Sequence, residues 1–479
     1  RRALIVEAKL QYPEGIATSE VLKAGNEARS NNSKSDYSGL KIIGASTFIG
    51  SIMKLCSQGL SMWHASIEIA NVLVIERFGK VLLKPIFAIG TDLSPALISV
   101  GYIVGRNIGI LVLSGGLISW VIAIPIYSAL YGYHDNPMNA AWIIWNSQIR
   151  YLGVGAMVIG GIWSLIKLIK PLMLSIHTSI QAYSDQNKLK NIPEHEKDFP
   201  INYVGLSLLF LLFPVFLIYF DIIGSISIAI LLSIVMMIFG FLFSAVAAYM
   251  AGVVGSSNNP ISGVTIATIL FASLFLAGIL GTGTTSGAAA AIMVGAVVCC
   301  AAAIGGDNLQ DLKTGHIIGA TPWKQQLMQI IGTLSSAIIL GLVLDILHTA
   351  YTIGSPELSA PQATLMKSVS EGVFSGNLPW NMIYLGFIIG IIIILLDLRQ
   401  KKNNSKFRIP VLAVSVGIYL PIELTVPIFI GGMIHHIGQL AKATSKMEKH
   451  GLLISSGLIT GEALMGILVA IPIFITGQK

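Results

Sequence analysis

Long apolar stretches, separated by short polar connections, make up most of the chain. A helix that crosses the hydrocarbon core of a bilayer needs about 20 mainly apolar residues, and these stretches approach or exceed that length. The pattern therefore predicts a series of membrane-spanning helices. We place them at residues 39–60 (a weaker, Gly-rich span), 108–130, 150–170, 202–220, 224–252, 264–280, 286–304, 327–347, 381–397 and 451–475.

Two further apolar stretches are interrupted by proline. Residues 91–107 contain Pro95 and glycines, which predicts a short or re-entrant helix. Residues 409–440 contain prolines, including Pro427, and the segments before and after them are both basic. Because basic connections stay on the cytoplasmic side, this stretch must enter the membrane and return. We predict two half-length helices that meet near Glu423, covered by other protein or by a water-filled cavity.

Two connecting segments differ from the spans. Residues 65–90 carry charged side chains among aliphatic ones, so we predict that they lie at the membrane interface instead of crossing it. Residues 350–379 contain serine, proline, glycine and threonine and are expected to form an outer loop.

Composition identifies the class of protein. Of the 479 residues, 54% are hydrophobic and only 11% are charged, and the mean hydropathy is +0.77, whereas soluble domains are about a quarter charged. We predict an all-α polytopic protein of the plasma membrane. The net charge of +7 comes from Lys and Arg scattered through short connections, which favours loops facing an anionic cytoplasmic leaflet. No continuous basic surface is indicated, so no nucleic-acid partner is expected.

A polar cluster follows the small-residue apolar stretch that ends at residue 306. Asp307 and Asp311 are four residues apart and share one face of a helix, with Gln310 beside them. Polar groups at such a position are usually functional or interfacial. Lys313 is expected to pair with Asp311 or, alternatively, to neutralise a carboxylate of a substrate. Downstream, Thr314-Gly315 is expected to loosen the backbone and Thr321-Pro322 to end the helix that follows.

A second interruption lies between residues 224–252 and 264–280. Its residues Ser257, Asn258, Asn259 and Pro260 split a long apolar stretch in two. Proline removes a backbone donor, and Asn and Ser side chains can cap the second half-helix, which leaves polar groups at membrane depth. Paired broken helices of this kind are typical of transporter binding sites. An ordinary loop between two spans is the alternative.

Two acids lie within apolar segments. Glu462 is about a third of the way along an otherwise uncharged span, so it must face the protein interior, neutral or partnered. Such an acid suits proton coupling, and a structural hydrogen-bonding role is the alternative; the same two roles are open for Glu423. The candidate proton-coupling acids are Glu462, Glu423, Asp307, Asp311 and Glu14. The candidate substrate-binding residues are Ser94, Pro95, Ser257, Asn258, Asn259, Pro260, Gln310, Lys313 and Pro427.

A weak internal repeat occurs at an offset of about 300 residues, which is a symmetry common in transporters. Residues 7–15 (EAKLQYPEG) align with residues 307–315 (DNLQDLKTG), and residues 155–165 align with residues 456–466. We therefore predict that residues 1–200 are the later part of a first repeat and residues 201–479 a second repeat. Chance similarity between Gly-rich helices is the alternative. The chain lacks an initiator Met and a secretory signal, so helices of the first repeat are expected upstream.

Several longer motifs together resemble one family. The motifs are GGDNLQDLKTGHIIGATPWKQQ, GSSNNPISGVTIATIL, ALIVEAKLQYPEGIATSEVLKAG, LSPALISVGYIVG and SSGLITGEALMGILVA. They resemble the oligopeptide transporter (OPT) family, in its prokaryotic branch near the yellow stripe-like metal-chelate transporters. The resemblance implies about 16 transmembrane segments built by duplication, of which about 11–13 transmembrane or re-entrant helices would lie in this chain. It also implies proton-driven import of small peptides or of metal complexes of peptide-like chelators.

The resemblance and the residues imply the same set of partners. A small peptide or a metal chelate, protons and the lipid bilayer are expected, and further copies of the chain are an open alternative. No cofactor is expected. No protein-bound metal is expected either, because the adjacent imidazoles of His435 and His436 cannot share one helical face.

A membrane-embedded enzyme is the competing hypothesis. The spacing of Asp307 and Asp311 matches the aspartate pair with which intramembrane prenyltransferases bind Mg-diphosphate. Those enzymes need a second aspartate-rich cluster, and the sequence contains none. It also contains no P-loop, no HExxH motif and no recognisable catalytic triad. The sequence therefore favours a secondary transporter over an enzyme.

Overall fold

The structure of the chain is a computed structural model and is mainly helical. It describes residues 1–12, 14–16, 18–19, 22, 38–77, 80–133, 136–163, 166, 197–254, 261–355, 358, 360–375, 379–405, 407–441 and 445–476.

The helices and strands of the first half are short or are interrupted by π-helical turns. The π-helical turns are Arg2–Glu7, Leu55–Gly59, Ile118–Ala123 and Trp145–Ile149. The helices and strands are α1 (Ser38–Lys54), β1 (Ser66–Val72), β2 (Ile75–Arg77), β3 (Lys80–Leu83), β4 (Ile86–Asp92), α2 (Pro95–Leu117), α3 (Ile124–Tyr131), α4 (Pro137–Ile144) and α5 (150–163).

The second half is built from longer helices. They are α6 (Ile201–Ile223), α7 (Ile226–Val254), α8 (Ile261–Leu280), α9 (Thr285–Ile318), α10 (Pro322–Tyr351), α11 (Pro361–Ser375), α12 (Trp380–Lys402), α13 (Val411–Tyr419), α14 (Ile422–Leu440) and α15 (Ser445–Thr476).

Seven helical segments of the described part are long and apolar enough to cross a membrane. They are Pro95–Tyr131, Asn202–Ile223, Ile226–Gly252, Thr285–Ile318, Pro322–Tyr351, Trp380–Lys402 and His450–Ile475. The prediction of an all-α polytopic membrane protein is confirmed.

The chain folds into two compact units. The first unit consists of Arg1–Ser35, Gly161–Gly341 and Gln362–Leu378, and the second of Asp36–Gly160, Leu342–Pro361 and Pro379–Lys479. The division of the sequence into repeats at residues 1–200 and 201–479 stays a prediction.

The second unit is organised around two pairs of closely packed helices, α2 with α14 and α1 with α15. Glycines allow their backbones to approach. A Cβ on Gly101 of α2 would lie against the carbonyl oxygen of Ile428 on α14, and a Cβ on Gly431 would lie against the carbonyl oxygen of Ile98. Gly101 of the motif LSPALISVGYIVG is therefore a packing requirement.

Both predicted interruptions in the second unit are present. Helix α2 begins at Pro95, and its backbone leaves the helical conformation at Gly105, where φ is 82°. The stretch at 409–440 forms two helices, α13 and α14, which meet at Leu420 and Pro421, just before Glu423. Pro427 lies inside α14, six residues beyond Pro421.

The segment at residues 65–90 forms strands, which the sequence pattern did not predict. Among the described residues there are two antiparallel two-stranded sheets, β1 with β4 and β2 with β3. Half-buried and exposed positions alternate along β1, and buried and exposed positions alternate along the start of β4. An alternation with a period of two is typical of a strand with one covered face, and it distinguishes this segment from an amphipathic helix.

The first unit has its main core among α6, α7, α8 and α9. Its buried residues are mostly Ala, Val and Leu, and the alanines of α9 let the neighbouring helices approach closely. A second cluster joins the N-terminal segment to α7 and α9. In it, the fully buried Tyr12 donates its hydroxyl to the carbonyl oxygen of Ala248 at 3.0 Å.

Three sequence expectations about this region are wrong. Helix α9 does not loosen at Thr314-Gly315 but continues to Ile318. It ends there because Gly319 adopts a left-handed conformation. Pro322 starts helix α10 instead of ending a helix, as proline does at a first helical position. The segment at 350–379 contains helix α11.

Candidate functional site

The Glu462 carboxylate on α15 lies within the second unit, with 12% of its side chain exposed. The Ser94 hydroxyl donates to it at 2.9 Å, and the backbone N–H of Ala96 donates to Oε2 at 3.0 Å. Lys54 Nζ on α1 lies 3.4 Å from Oε1. Glu462 thus faces the interior and has partners, as the sequence predicted for an acid in an apolar span.

The local sequence explains how α2 presents these donors. Ser94 is the N-cap of α2, its Oγ accepts from the Leu97 N–H at 3.3 Å, and Pro95 occupies the first turn. The first N–H groups of a helix have no partner within the helix, and the helix dipole makes this end positive. The start of α2 is therefore suited to hold the Glu462 carboxylate.

Asp92 is a second acid at this position, at the end of β4. Its Oδ1 accepts from the backbone N–H of Ser94 at 2.7 Å. Burial raises the pKa of Asp92, and the charge of Glu462 acts in the same direction, while the Ser94 N–H and Lys54 oppose it. Lys54 therefore contacts the Glu462 carboxylate and also acts electrostatically on Asp92.

These side chains line a cavity of about 250 Å³. We name it the Glu462 cavity. The polar part of its wall is formed by Lys54, Ser57, Asp92, Ser94 and Glu462. Apolar side chains, including Trp63 and Leu424, form much of the remainder. Convergent polar groups in a mainly apolar cavity are the usual form of a small-molecule site.

A second carboxyl group in this unit is close to another acid. Glu423, at the start of α14, faces the carboxyl group of Glu68 on β1 and the side chain of Ser66. Trp142 Nε1 donates to Glu68 Oε2 at 3.0 Å. An ionised carboxylate is only an acceptor, so these two carboxyl groups could hydrogen-bond to each other only with a proton on one of them. Pro427 is four residues after Glu423 on α14 and has no backbone N–H. The backbone carbonyl of Glu423 therefore lacks its usual helical hydrogen-bond donor.

The polar cluster of the first unit is organised by Gln310 on α9, which is 7% exposed. Its Oε1 accepts from the Gly15 N–H at 2.8 Å, and its Nε2 donates to Glu14 Oε2 at 2.6 Å and to the Ala251 carbonyl oxygen at 3.1 Å. The Gln310 amide therefore fixes residues 14–15 against α7 and α9.

Residues 307–315 and 7–15, the two segments aligned as repeats, contact each other elsewhere too. Lys313 Nζ donates to the Leu10 carbonyl oxygen at 3.0 Å, and Thr314 Oγ1 donates to the Gly15 carbonyl oxygen at 2.9 Å. The expected pair of Lys313 with Asp311 is wrong, because residues two apart on a helix point in different directions.

Asp307 and Asp311 share a face of α9, as predicted, and both are exposed. Asp311 Oδ2 accepts from Gln329 Nε2 on α10 at 3.3 Å. Among the described residues, no group of three or more His, Cys, Asp or Glu side chains is arranged to hold a metal ion.

The structure thus divides the predicted site residues. Ser94, Pro95 and Glu462 meet in the Glu462 cavity, and Glu423 and Pro427 lie on α14 of the same unit. Glu14, Gln310 and Lys313 meet in the first unit, with Asp307 and Asp311 on the exposed face of α9. The residues predicted from the SSNNP motif, Ser257, Asn258, Asn259 and Pro260, lie outside the described residues.

Sequence reasoning missed Lys54, Asp92 and Glu68. A signal existed for Lys54, which is a charge inside the apolar, Gly-rich stretch at 39–60 and therefore needs a partner in the interior. Glu68 gave a weaker signal, since it belongs to the segment 65–90 that was interpreted as interfacial, and Asp92 stands at the start of the stretch 91–107 that was predicted as a short or re-entrant helix.

Comparison with known proteins gives concordant matches over the chain. The family model described as OPT oligopeptide transporter protein matches residues 1–473. One match is a Haemophilus influenzae protein that is provisionally named an oligopeptide transporter. It is 34% identical over 514 residues, and the match covers 98% of this chain and 77% of that protein.

Plant proteins match with lower identity. A metal-nicotianamine transporter of Arabidopsis thaliana is 22% identical over 97% of this chain and 69% of that protein. A metal-nicotianamine transporter of Oryza sativa is 25% identical over 90% of this chain and 63% of that protein.

Proposed function

Because this chain belongs to the OPT oligopeptide transporter family, we propose that it imports small oligopeptides or metal complexes of peptide-like chelators, driven by protons. Members of this family are transporters, so the prenyltransferase hypothesis built on Asp307 and Asp311 is set aside. The names of the relatives support both solute classes, peptides in Haemophilus influenzae and metal-nicotianamine in the two plants. The chain is a multi-pass membrane protein, and we propose the plasma membrane as its location.

The observation that carries the proton-coupled mechanism is the Glu462 carboxylate and its three donors. These donors belong to α1 and to the start of α2, whereas Glu462 belongs to α15. A proton on Glu462 would remove its attraction to Lys54 and convert one acceptor oxygen into a donor. The contacts between α15 and the other two helices would then weaken. A ligand or proton that binds one conformation better shifts the population toward it, and we assign this role to Glu462.

Glu423 and Glu68 form a second candidate proton site in this mechanism. A proton shared between them would hold the two carboxyl groups together, and Glu423 stands at the break between α13 and α14. Loss of that proton would place two negative charges in contact, which would favour separation of α14 from β1. Proton release would thus be linked to movement of the broken helix.

We further propose that the solute binds at the start of α2, through Ser94 and the N–H groups after Pro95. The polar wall of the Glu462 cavity supports this assignment. Gln310 and Lys313 remain substrate-binding candidates, and their polar groups, like the Ser94 hydroxyl and the Ala96 N–H, are bound by protein partners in this conformation. Contact with solute would require Leu10, Glu14 and Gly15 to move away from α9.

Transport into liposomes tests the proposal. The purified protein is reconstituted, a pH gradient is imposed, and labelled tri- to hexapeptides are screened against iron and copper chelates. We expect accumulation of at least one of these solutes that an uncoupler abolishes. Absence of uptake of every solute would refute the transport assignment, and uptake that is insensitive to both gradient and uncoupler would refute proton coupling.

The variant Glu462→Gln tests the assigned residue. Gln keeps the shape of the side chain but cannot carry the coupling charge, so we expect the solute to bind and to equilibrate without uphill accumulation. Asp345→Asn, on the exposed surface of α10, is the matched control and should accumulate solute as the unaltered protein does. Unchanged uphill accumulation by Glu462→Gln would contradict the role of Glu462.

A further inference from the structure

Lys54 and Asp92 are the two charged groups of the Glu462 cavity with unused hydrogen-bonding capacity. Lys54 has three ammonium donors, and its hydrogen bond in the described part of the chain is the 3.4 Å contact with Glu462 Oε1. That distance is long for a charge-assisted hydrogen bond, which is typically about 2.7–2.9 Å. Lys54 therefore retains donors for another carboxylate.

Asp92 has the complementary capacity. Its Oδ1 accepts from the Ser94 N–H, whereas Oδ2 has no hydrogen-bond partner among the described residues. A partly buried carboxylate oxygen beside a cavity is an acceptor for an ammonium group. Glu462 is different, because both of its oxygens are bound by Ser94 and by either Lys54 or Ala96.

Lys54 and Asp92 lie close enough to act on one solute. Asp92 binds the backbone of Ser94, the Ser94 hydroxyl binds Glu462 Oε1, and Lys54 contacts that same oxygen atom. Both residues also line the Glu462 cavity. Its volume of about 250 Å³ is just below the range of about 300–1,000 Å³ that is usual for sites of drug-sized ligands. A small zwitterion, or one zwitterionic end of a larger solute, matches this volume.

We propose that Asp92 and Lys54 form a subsite for a compact zwitterionic group, in which Asp92 accepts from the ammonium and Lys54 donates to the carboxylate. This inference rests on the proposed transport function and makes it more specific. Solutes that carry both charges within one or two residues, such as dipeptides and amino-acid-based chelators, would be preferred over long peptides. The negative charge of Glu462 keeps Lys54 in place when no solute is bound.

Binding of dialanine to the purified protein, measured by isothermal titration calorimetry, tests this subsite. N-acetyl-dialanine lacks the ammonium, and dialanine amide lacks the carboxylate. A hydrogen bond between charged groups is strong enough that each blocked compound should bind at least about tenfold more weakly than dialanine. Dialanine that fails to bind, or that binds no tighter than its blocked forms, would overturn the subsite.

Two variants assign the two charges separately. Asp92→Asn should remove the preference for dialanine over N-acetyl-dialanine but keep the preference over the amide, and Lys54→Gln should do the reverse. The controls Asp345→Asn and Lys401→Gln, both exposed, should keep both preferences. The two variants lie on different elements, so one that fails to fold leaves the other decisive. If either folded variant retained the preference that it is expected to lose, the subsite would be refuted. The uptake screen of peptides and chelates decides the transport function independently.

Discussion

A double-mutant cycle on Lys54 and Glu462 measures the interaction on which the candidate site depends. The side chains are 19% and 12% exposed, and their charged atoms are 3.4 Å apart. At an effective dielectric constant of about 20, two unit charges at that distance attract each other by about 5 kcal/mol. Desolvation of both groups offsets part of this attraction, so we expect a coupling free energy of about 1–3 kcal/mol.

The single variants are Lys54→Met and Glu462→Gln, and the double variant carries both changes. Each single variant leaves one partly buried charge without its partner, which should lower the free energy of unfolding by about 2–4 kcal/mol. The double variant should be more stable than the sum of the two losses predicts. The measurement is the unfolding free energy of the purified protein in detergent micelles.

An exposed ion pair in the same chain provides the matched control. Lys367 and Glu371 on α11 are 3.8 Å apart, and their side chains are 65% and 56% exposed. Pairs of this kind contribute about 0.3–0.5 kcal/mol, so the control cycle should be close to additive. If the Lys54 and Glu462 cycle were as additive as the control, the two charges would not interact appreciably and the proposed coupling would lose its basis.

Three further substitutions test the packing that positions the two polar clusters. Gln310→Leu should lower the unfolding free energy by about 2–4 kcal/mol, because it leaves the buried Gly15 N–H without an acceptor; an unchanged midpoint in thermal unfolding would contradict this. Tyr12→Phe removes one buried hydrogen bond and should cost about 1 kcal/mol in the same measurement. Gly101→Ala should cost about 1–3 kcal/mol through the contact of α2 with α14, whereas Gly332→Ala, with no neighbour near its Cβ position, should be neutral or slightly stabilising.

Apolar length and proline were reliable guides to the fold. The spans at 202–220, 224–252 and 381–397 correspond to α6, α7 and α12, because about 20 apolar residues can satisfy their backbone in a bilayer only as a helix. The break before Glu423 was predictable for the same reason, since proline removes a backbone donor.

The structure was predicted less well where the length of a segment suggested a membrane span but its charged residues argued against one. Residues 65–90 are too charged for a span, and their period-two alternation was overlooked, so the strands were missed. At Thr314-Gly315 the sequence suggested a weak helix, but buried contacts of Gln310 and Thr314 with the N-terminal segment extend α9 beyond it. Tertiary contacts of this kind leave no local sequence pattern.

The Glu462 cavity shows where sequence reasoning stops for a membrane protein. The rule that a charge in an apolar span needs a partner identified Glu462 without identifying which residue it meets. Its partners come from residues 54 and 94–96, more than 360 positions away, and the approach depends on the packing of α1 and α2 against α15. Because Lys54 and Glu462 each stand in a separate apolar helix, each explains the presence of the other. Desolvation would make either charge unfavourable without the other, yet the pair lies beside a cavity. This placement beside the cavity, more than either residue alone, supports a role in moving a charged solute.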